Sequence, residues 1–332
     1  MKKIAVIPSY KPNEKLISIL KELKENKIEC IVINDGSSDK YDSIFNKVKD
    51  YAHLIEYYPN KGKGYAIKEG LKYIEKTYKN SVIVTIDSDG EHRPKDAIKL
   101  LKIAEKKPNT LVLGKNTKHK LSTSITNWFY HFTTGVTLQD TKSGLRAFQS
   151  KMIPHFLSID GNRFDYEMNI LLSCPKENID IYEEPIETIH DNDITSNYNM
   201  IKDTYLIYRK MIIYTITSLI AAVVDFFVYL LVVYLTNNVT ISNILARVTS
   251  TNVNYIATKS LVFKDKRNAK QSVFKYYALA IATLLVSTIL LHIAVNIFHL
   301  NKYIFKIVID TILFLLNWSF ANKYVFKTTC KR

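Results

Sequence analysis

Ser81-Val82-Ile83-Val84-Thr85-Ile86-Asp87-Ser88-Asp89-Gly90-Glu91-His92-Arg93-Pro94 is the stretch on which the reading of this chain turns. Val82 to Ile86 is apolar and β-branched throughout, the composition of a strand buried on both faces of a parallel sheet. The run breaks into Asp87, Ser88 and Asp89, with Gly90 to turn the chain and Pro94 to open a helix. Carboxylates at the carboxyl end of a buried strand stand where open α/β sheets bind ligands. Asp-x-Asp can give two hard oxygen ligands to one divalent cation, and such a cation can neutralise a diphosphate. A bare Asp-x-Asp is more often an acidic turn, so the flanking chain has to decide.

Working outward, Lys3 to Pro8, Cys30 to Ile33, Leu54 to Tyr57 and Thr110 to Leu113 read as further strands. Asn13 to Glu25 reads as an amphipathic helix with apolar Leu16, Ile17, Leu20 and Leu23. Asn60-Lys61-Gly62-Lys63-Gly64 opens another helix. This alternation predicts a doubly wound, mostly parallel sheet. Tyr10, Asp35 and Asp87 each follow an apolar strand, so such a sheet brings them to one edge. Lys63, at a glycine-flanked helix start, could meet a phosphate through its charge and the backbone N–H groups. Asp35 reads equally well as a ligand and as a turn or cap residue.

The chain has 332 residues, room for two domains, and a net charge of +15. That charge suggests nucleic acid or an anionic membrane surface. Its distribution favours the membrane and excludes nucleic acid, because long apolar segments dominate beyond Met211 and many Lys and Arg fall between them. Cys30, Cys174 and Cys330 have no paired spacing, so neither a disulfide framework nor a zinc site is expected. Ile4 to Ile7 is too short an apolar run for a signal peptide, which leaves the first domain in the cytosol.

Four segments have the length of membrane spans: Ile216–Leu235, Ile241–Phe263, Tyr276–Phe298 and Ile304–Phe326. Lys264 to Lys275 and the Lys331-Arg332 tail are basic, whereas Asn237–Thr240 and Asn301-Lys302 are nearly uncharged. The positive-inside rule then places both ends and the middle loop in the cytosol, giving a multi-pass protein of the cell membrane. Asn254-Tyr255 with Val262-Phe263-Lys264 recurs 63 residues later as Asn317-Trp318 with Val325-Phe326-Lys327. The same offset maps Arg247 onto Asp310, and the two are expected to pair inside the bundle, with Asp225 also facing inward. A purely structural ion pair and a substrate contact are equally open. Residues 198–214, rich in Tyr, Arg and Lys, read as an interfacial helix or a linker between residues 1–197 and 215–332.

Five ordered motifs carry a family resemblance: Ile7-Pro8-Ser9-Tyr10, Asn34-Asp35-Gly36-Ser37, Asn60-Lys61-Gly62-Lys63-Gly64, Asp87-Ser88-Asp89-Gly90-Glu91-His92 and Asp140-Thr141-Lys142-Ser143-Gly144-Leu145-Arg146-Ala147-Phe148. Together they resemble family 2 glycosyltransferases, in particular polyprenyl-phosphate sugar transferases of the dolichol-phosphate mannose synthase type. Gly161 to Met168 resembles the segment beside the acceptor site, and Tyr182 to Thr188 the last strand of the catalytic domain. The second half resembles the GtrA-like four-span family. The resemblance implies an α/β GT-A domain followed by an α-helical four-span transmembrane domain. It implies a nucleotide-sugar donor and Mg²⁺ or Mn²⁺ held by Asp87, Asp89 and Glu91. Pro8, Tyr10, Asp35, Lys63, Asp87, Ser88 and Asp89 would surround the donor. Asp140, Asp89 and Arg146 would serve catalysis, and Lys115, Lys120, Arg146 and Arg163 the acceptor phosphate.

The chain also departs from the pattern. Lys11-Pro12 intervenes before Asn13-Glu14, Glu91 stands where relatives usually have Gln, and Lys115, Lys118 and Lys120 replace an Arg-rich segment. Lysine offers phosphate a point charge without the bidentate fork of arginine. The expected activity is metal-dependent, inverting transfer of a UDP-linked hexose to a polyprenyl phosphate such as undecaprenyl phosphate, for cell-envelope glycan modification. Partners are then the donor, the lipid phosphate and the bilayer, and a homo-oligomer is compatible with the sequence. The competing class is a flippase whose soluble domain senses or recruits. Direct extension of a polysaccharide is a third.

Overall fold

The structure, a computed structural model, describes residues 1–116, 121–187, 200–236, 239–262, 269–298 and 302–321. The chain divides into two compact units, Met1–Ile207 and the residues from Tyr208 onward.

The first unit is built on seven strands: β1 (Lys2–Ser9), β2 (Glu29–Asp35), β3 (His53–Tyr57), β4 (Ser81–Thr85), β5 (Thr110–Asn116), β6 (Arg146–Gln149) and β7 (Asp180–Ile186). They lie in the order β3-β2-β1-β4-β6-β5-β7. All neighbours are parallel except β6, which runs antiparallel to β4 and β5. Strand order reverses between β1 and β4, so the carboxyl ends of those two strands flank the crevice where doubly wound sheets take ligands. Helices α1 (Lys15–Glu25), α2 (Asp42–Val48), α3 (Lys63–Thr77), α4 (Pro94–Lys106), α5 (Leu121–Thr134), α6 (Ile153–Ser158) and α7 (Phe164–Ser173) connect the strands.

Side chains alternate across the central strands as a period of two requires. Ile4 and Val6 of β1 join one core with Ile67 and Leu71 of α3, Phe156 and Leu171. Ala5 and Ile7 join the other with Leu16 and Leu20 of α1, Phe45 of α2 and Leu100 of α4. Burial on both faces is what the continuous apolar runs specify. The expected strands are present with ends shifted by a few residues. The short antiparallel β6 was not anticipated: it starts within the Asp140–Phe148 motif and begins with an arginine.

The second unit takes in α8 (Met200–Thr236) from Tyr208 on, together with α9 (Val239–Ala257), α10 (Ala269–His292) and α11 (Lys302–Phe320), with π-helical turns at Thr258–Val262 and Ile293–Ile297. Among the described residues one helix, Ile212–Thr236, is long and apolar enough to cross a membrane. Leu219, Phe226, Phe227, Leu231 and Leu235 are exposed on it, as lipid-facing positions would be. From Met200 the segment read as a linker runs without a break into α8.

The internal repeat has a structural counterpart. Tyr255, after the first repeated asparagine, packs on Tyr276 of α10 with ring centres 5.4 Å apart. Trp318, after the second, packs on Tyr214 of α8 at 5.1 Å. Each hairpin therefore places its second-helix aromatic against the first helix of the other. Hydrogen bonds from Ser250 Oγ to Asp225 Oδ1 (2.7 Å) and from Thr283 Oγ1 to Asn317 Oδ1 (2.7 Å) link helices within each hairpin. The side chains of Arg247 and Asp310 lie outside the described residues, as do Lys118, Lys120 and the Ser196-Asn197-Tyr198 loop.

Candidate active site

At the carboxyl end of β4 the backbone leaves the sheet after the Ile86 N–H donates to Val6 O (3.1 Å). Asp87 follows, and its Oδ1 is 2.7 Å from the ammonium of Lys63, the first residue of α3. That ammonium is also 3.1 Å from Glu167 Oε2 on α7. Burial works to lower the Lys63 pKa, but the two carboxylates outweigh it and hold the group well above the ordinary lysine range. Burial likewise works to raise the Asp87 pKa, and Lys63, then His92, overcome it and keep the carboxyl below its usual range. Asp89 has no such cation. Burial and the neighbouring charge of Asp87 push its pKa up, although its Oδ1 accepts the Glu91 N–H at 2.9 Å.

Two glycines make this closeness feasible. Gly62 has φ +102°, and a Cβ on it would fall 2.5 Å from Asn162 O and 2.7 Å from Arg163 Cγ. A Cβ on Gly144 would fall 2.4 Å from Asp87 Oδ2 and 2.7 Å from Lys63 Nζ. Tyr65 N–H donates to Asn162 O (2.9 Å), which pins the start of α3 against the loop before α7.

Asp35 behaves differently. It is 3 % exposed, and its carboxylate accepts from Tyr57 Oη (2.8 Å), Asn60 Nδ2 (2.9 Å), Lys61 N (2.8 Å) and Gly62 N (2.9 Å). The donors of residues 57–62 thus fill its lone pairs. Of the two readings of Asp35, these bonds fit the turn residue: they hold the loop that carries Gly62 and Lys63. Beside it, Lys11 N donates to Ser37 Oγ (2.9 Å), tying together the loops after β1 and β2, and the Lys11 ammonium lies over the Tyr10 ring. Pro8 is buried in β1, and Ser88 lies partly exposed in the β4 turn.

The Arg146 guanidinium is 3 % exposed and turned inward, donating to Ser143 O (2.9 Å) and Glu167 O (2.6 Å). It props the loop before β6 against α7, and these donors are spent on backbone carbonyls. Asp140 is buried too: Oδ2 accepts Asn116 N (3.1 Å), and Oδ1 accepts Lys142 N (3.1 Å). It holds the loop before β6 to the end of β5. Lys115 is outside this cluster, with Nζ 2.7 Å from Gln139 Oε1. Arg163 stands beside Gly62 at the start of α3.

The donor set suits a hard divalent ion in part. Asp87 and Asp89 are adjacent carboxylates, and Mg²⁺ characteristically takes one or two of these plus substrate phosphate oxygens. The three-carboxylate set with Glu91 is not assembled: no group of three metal-ligating side chains occurs among the described residues. Residues that sequence reasoning missed are Glu167 and His92. His92 is 5 % exposed with Nδ1 3.8 Å from Asp87 Oδ2. Glu167 lay within a quoted motif, but its partner Lys63 is over a hundred residues away, and no local pattern announces that pairing.

Residues 4–167 match the family described as glycosyl transferase family 2, and residues 213–326 match the GtrA/DPMS transmembrane domain. An uncharacterized protein of Methanocaldococcus jannaschii is 28 % identical over 209 residues, covering 58 % of this chain and 90 % of that protein. The UDP-N-acetylglucosamine–dolichyl-phosphate N-acetylglucosaminyltransferase of Methanococcus voltae is 26 % identical, covering 64 % and 94 %. The polyprenol monophosphomannose synthase of Mycolicibacterium smegmatis is 21 % identical, covering 55 % and 76 %. With the sheet order, the family match makes the first unit a GT-A-like transferase domain, and the second match makes the chain a membrane protein.

Proposed function

We propose that this chain, which joins a family 2 glycosyl transferase domain to a GtrA/DPMS transmembrane domain, moves a hexose from a UDP-linked donor to a polyprenyl phosphate at the cytosolic membrane face. The observation that carries the reading is the Lys63–Asp87–Glu167 network at the strand-order reversal, with Asp89 beside it. Three kinds of support converge on it: the matched domains, relatives named for sugar transfer to lipid phosphates, and a site whose carboxylates suit a diphosphate that arrives with a divalent cation.

The nucleoside lies over the ends of β1 and β2, near Tyr10. The diphosphate reaches the start of α3, where Lys63 and the backbone N–H groups oppose its charge. Asp87 and Asp89 would hold Mg²⁺ or Mn²⁺, which when bound supplies positive charge to the leaving diphosphate. An oxygen of the acceptor phosphate attacks the anomeric carbon as the bond to the diphosphate oxygen breaks, with inversion. That oxygen is already anionic, so no strong general base is required. Arg146 and Asp140 keep the floor and its loop in place, and Lys115 at the end of β5 contributes positive charge toward the acceptor phosphate. The four helices α8–α11 span the bilayer with the transferase unit and C-terminus on the cytosolic side.

The test is transfer from labelled UDP- and GDP-hexoses to undecaprenyl phosphate by the purified full chain in detergent, with Mn²⁺ or chelator. One UDP-hexose is expected to label the organic phase, and chelation to remove the label. No label from any donor, with the protein folded, would overturn the reading and return weight to a transport role.

A further inference from the structure

The Lys63 ammonium occupies ground that a divalent ion would need. It sits 2.7 Å from Asp87 Oδ1, on the carboxylate best placed to bind that ion, and 3.1 Å from Glu167 Oε2. The group is packed tightly: Gly144 presents a bare Cα to both Asp87 Oδ2 and Lys63 Nζ, where any Cβ would collide. Two buried polar atoms nearby are without hydrogen-bond partners among the described residues, Glu167 Oε1 and His92 Nδ1. A buried carboxylate oxygen without a donor is costly, so it marks a place where another arrangement of the same charges is favourable.

We propose that Lys63 is a resident cation that holds the divalent ion's place in the donor-free protein, and that Glu167 is the positioning residue that receives its ammonium when Asp87 turns to the ion. The inference rests on the transferase reading above. An ion arriving alone must enter beside an ammonium of the same sign and draw Asp87 away from it. An ion arriving with a nucleoside diphosphate brings oxygens that neutralise both the ion and the displaced ammonium. Glu167 Oε1, now idle, completes the anchor on the far side. Ion and diphosphate then bind cooperatively, and by linkage each strengthens the other by the same factor. Removing the ammonium removes the competition for Asp87.

The experiment measures Mn²⁺ binding to the full chain in detergent by the loss of the free-ion paramagnetic resonance signal. Mn²⁺ is added alone or with UDP or GDP, and the protein-free mixtures serve as blanks. The wild type is expected to bind Mn²⁺ weakly alone and about ten-fold tighter with the matching diphosphate. Lys63→Met is expected to tighten binding of Mn²⁺ alone by about ten-fold and to shrink the effect of the diphosphate. Lys63→Arg, which keeps the charge, should bind Mn²⁺ alone as weakly as the wild type. Glu167→Gln should weaken Mn²⁺ binding in the presence of diphosphate, a change that a merely structural role, visible as a lower melting temperature, would not produce. Unchanged Mn²⁺ affinity in Lys63→Met overturns the proposal. Should that variant not fold, an unchanged diphosphate effect in Glu167→Gln overturns it instead. If the wild type shows coupled binding but the variants match it, only this inference fails. If no Mn²⁺ binds even with either diphosphate, the assignment of the ion to Asp87 and Asp89 fails with it, while the transfer assay still decides the transferase reading.

Discussion

The loops after β2 and β4 begin alike, each with an aspartate at the carboxyl end of a buried parallel strand, and they end in opposite conditions. Asp35 is enclosed by hydrogen-bond donors from residues 57–62, all from its own domain. Asp87 and Asp89 are partly buried, Asp87 is matched by the Lys63 ammonium, and Asp89 carries a carboxyl whose ionisation its surroundings oppose. A carboxylate saturated by backbone and amide donors stabilises a loop. One balanced only by charge, or left unbalanced, is ready for a ligand that brings charge of its own. The difference separates the aspartate that holds a loop from the pair proposed to take the ligand, although the sequence presents them in the same way.

The contrast is broken or sharpened most strongly by Asp89→Asn. Transfer is expected to fall by about 10²–10³-fold, the scale for loss of a charge-stabilising group. The melting temperature should hold or rise, since the neutral amide removes repulsion with Asp87. Retained transfer would erase the distinction between the two loops. Gly144→Ala comes next: its methyl would meet Asp87 Oδ2 and Lys63 Nζ, and a displacement of that size is expected to cost turnover about 10²-fold. On the other side of the comparison, Asp35→Ala should act on stability, lowering it by about 2–4 kcal/mol in denaturant titration through the donors it strands. A fully stable Asp35→Ala protein that had lost only nucleotide binding would restore Asp35 as a donor contact. Tyr57→Phe is the mildest, removing one hydrogen bond to Asp35 for a loss of about 1 kcal/mol with turnover preserved.

Much of this organisation was legible beforehand, for identifiable reasons. β1, β2 and β4 are buried on both faces, so their apolar runs stand out, and the residues following them were correctly gathered at one edge. β6 escaped because four residues beginning with a buried arginine have no strand-like pattern of their own; two neighbouring strands impose the conformation. The inward turn of Arg146 was not legible for the same reason, since a guanidinium donating to carbonyls and one awaiting phosphate look identical in sequence. Glu167 became visible only when α7 was packed against the start of α3. In the membrane unit the 63-residue repeat foretold related hairpins, while the crossed packing of Tyr255 on Tyr276 and Trp318 on Tyr214 needed three dimensions.

The division of labour between the two loops is tested most directly by locating Mn²⁺ through its anomalous scattering in crystals of the full chain grown with UDP. The ion is expected at Asp87 and Asp89, with Lys63 moved toward Glu167 and the diphosphate, and with Asp35 still bound to residues 57–62. An ion seated at Asp35, or a diphosphate bound far from Lys63 with the Lys63–Asp87 pair undisturbed, would contradict the account.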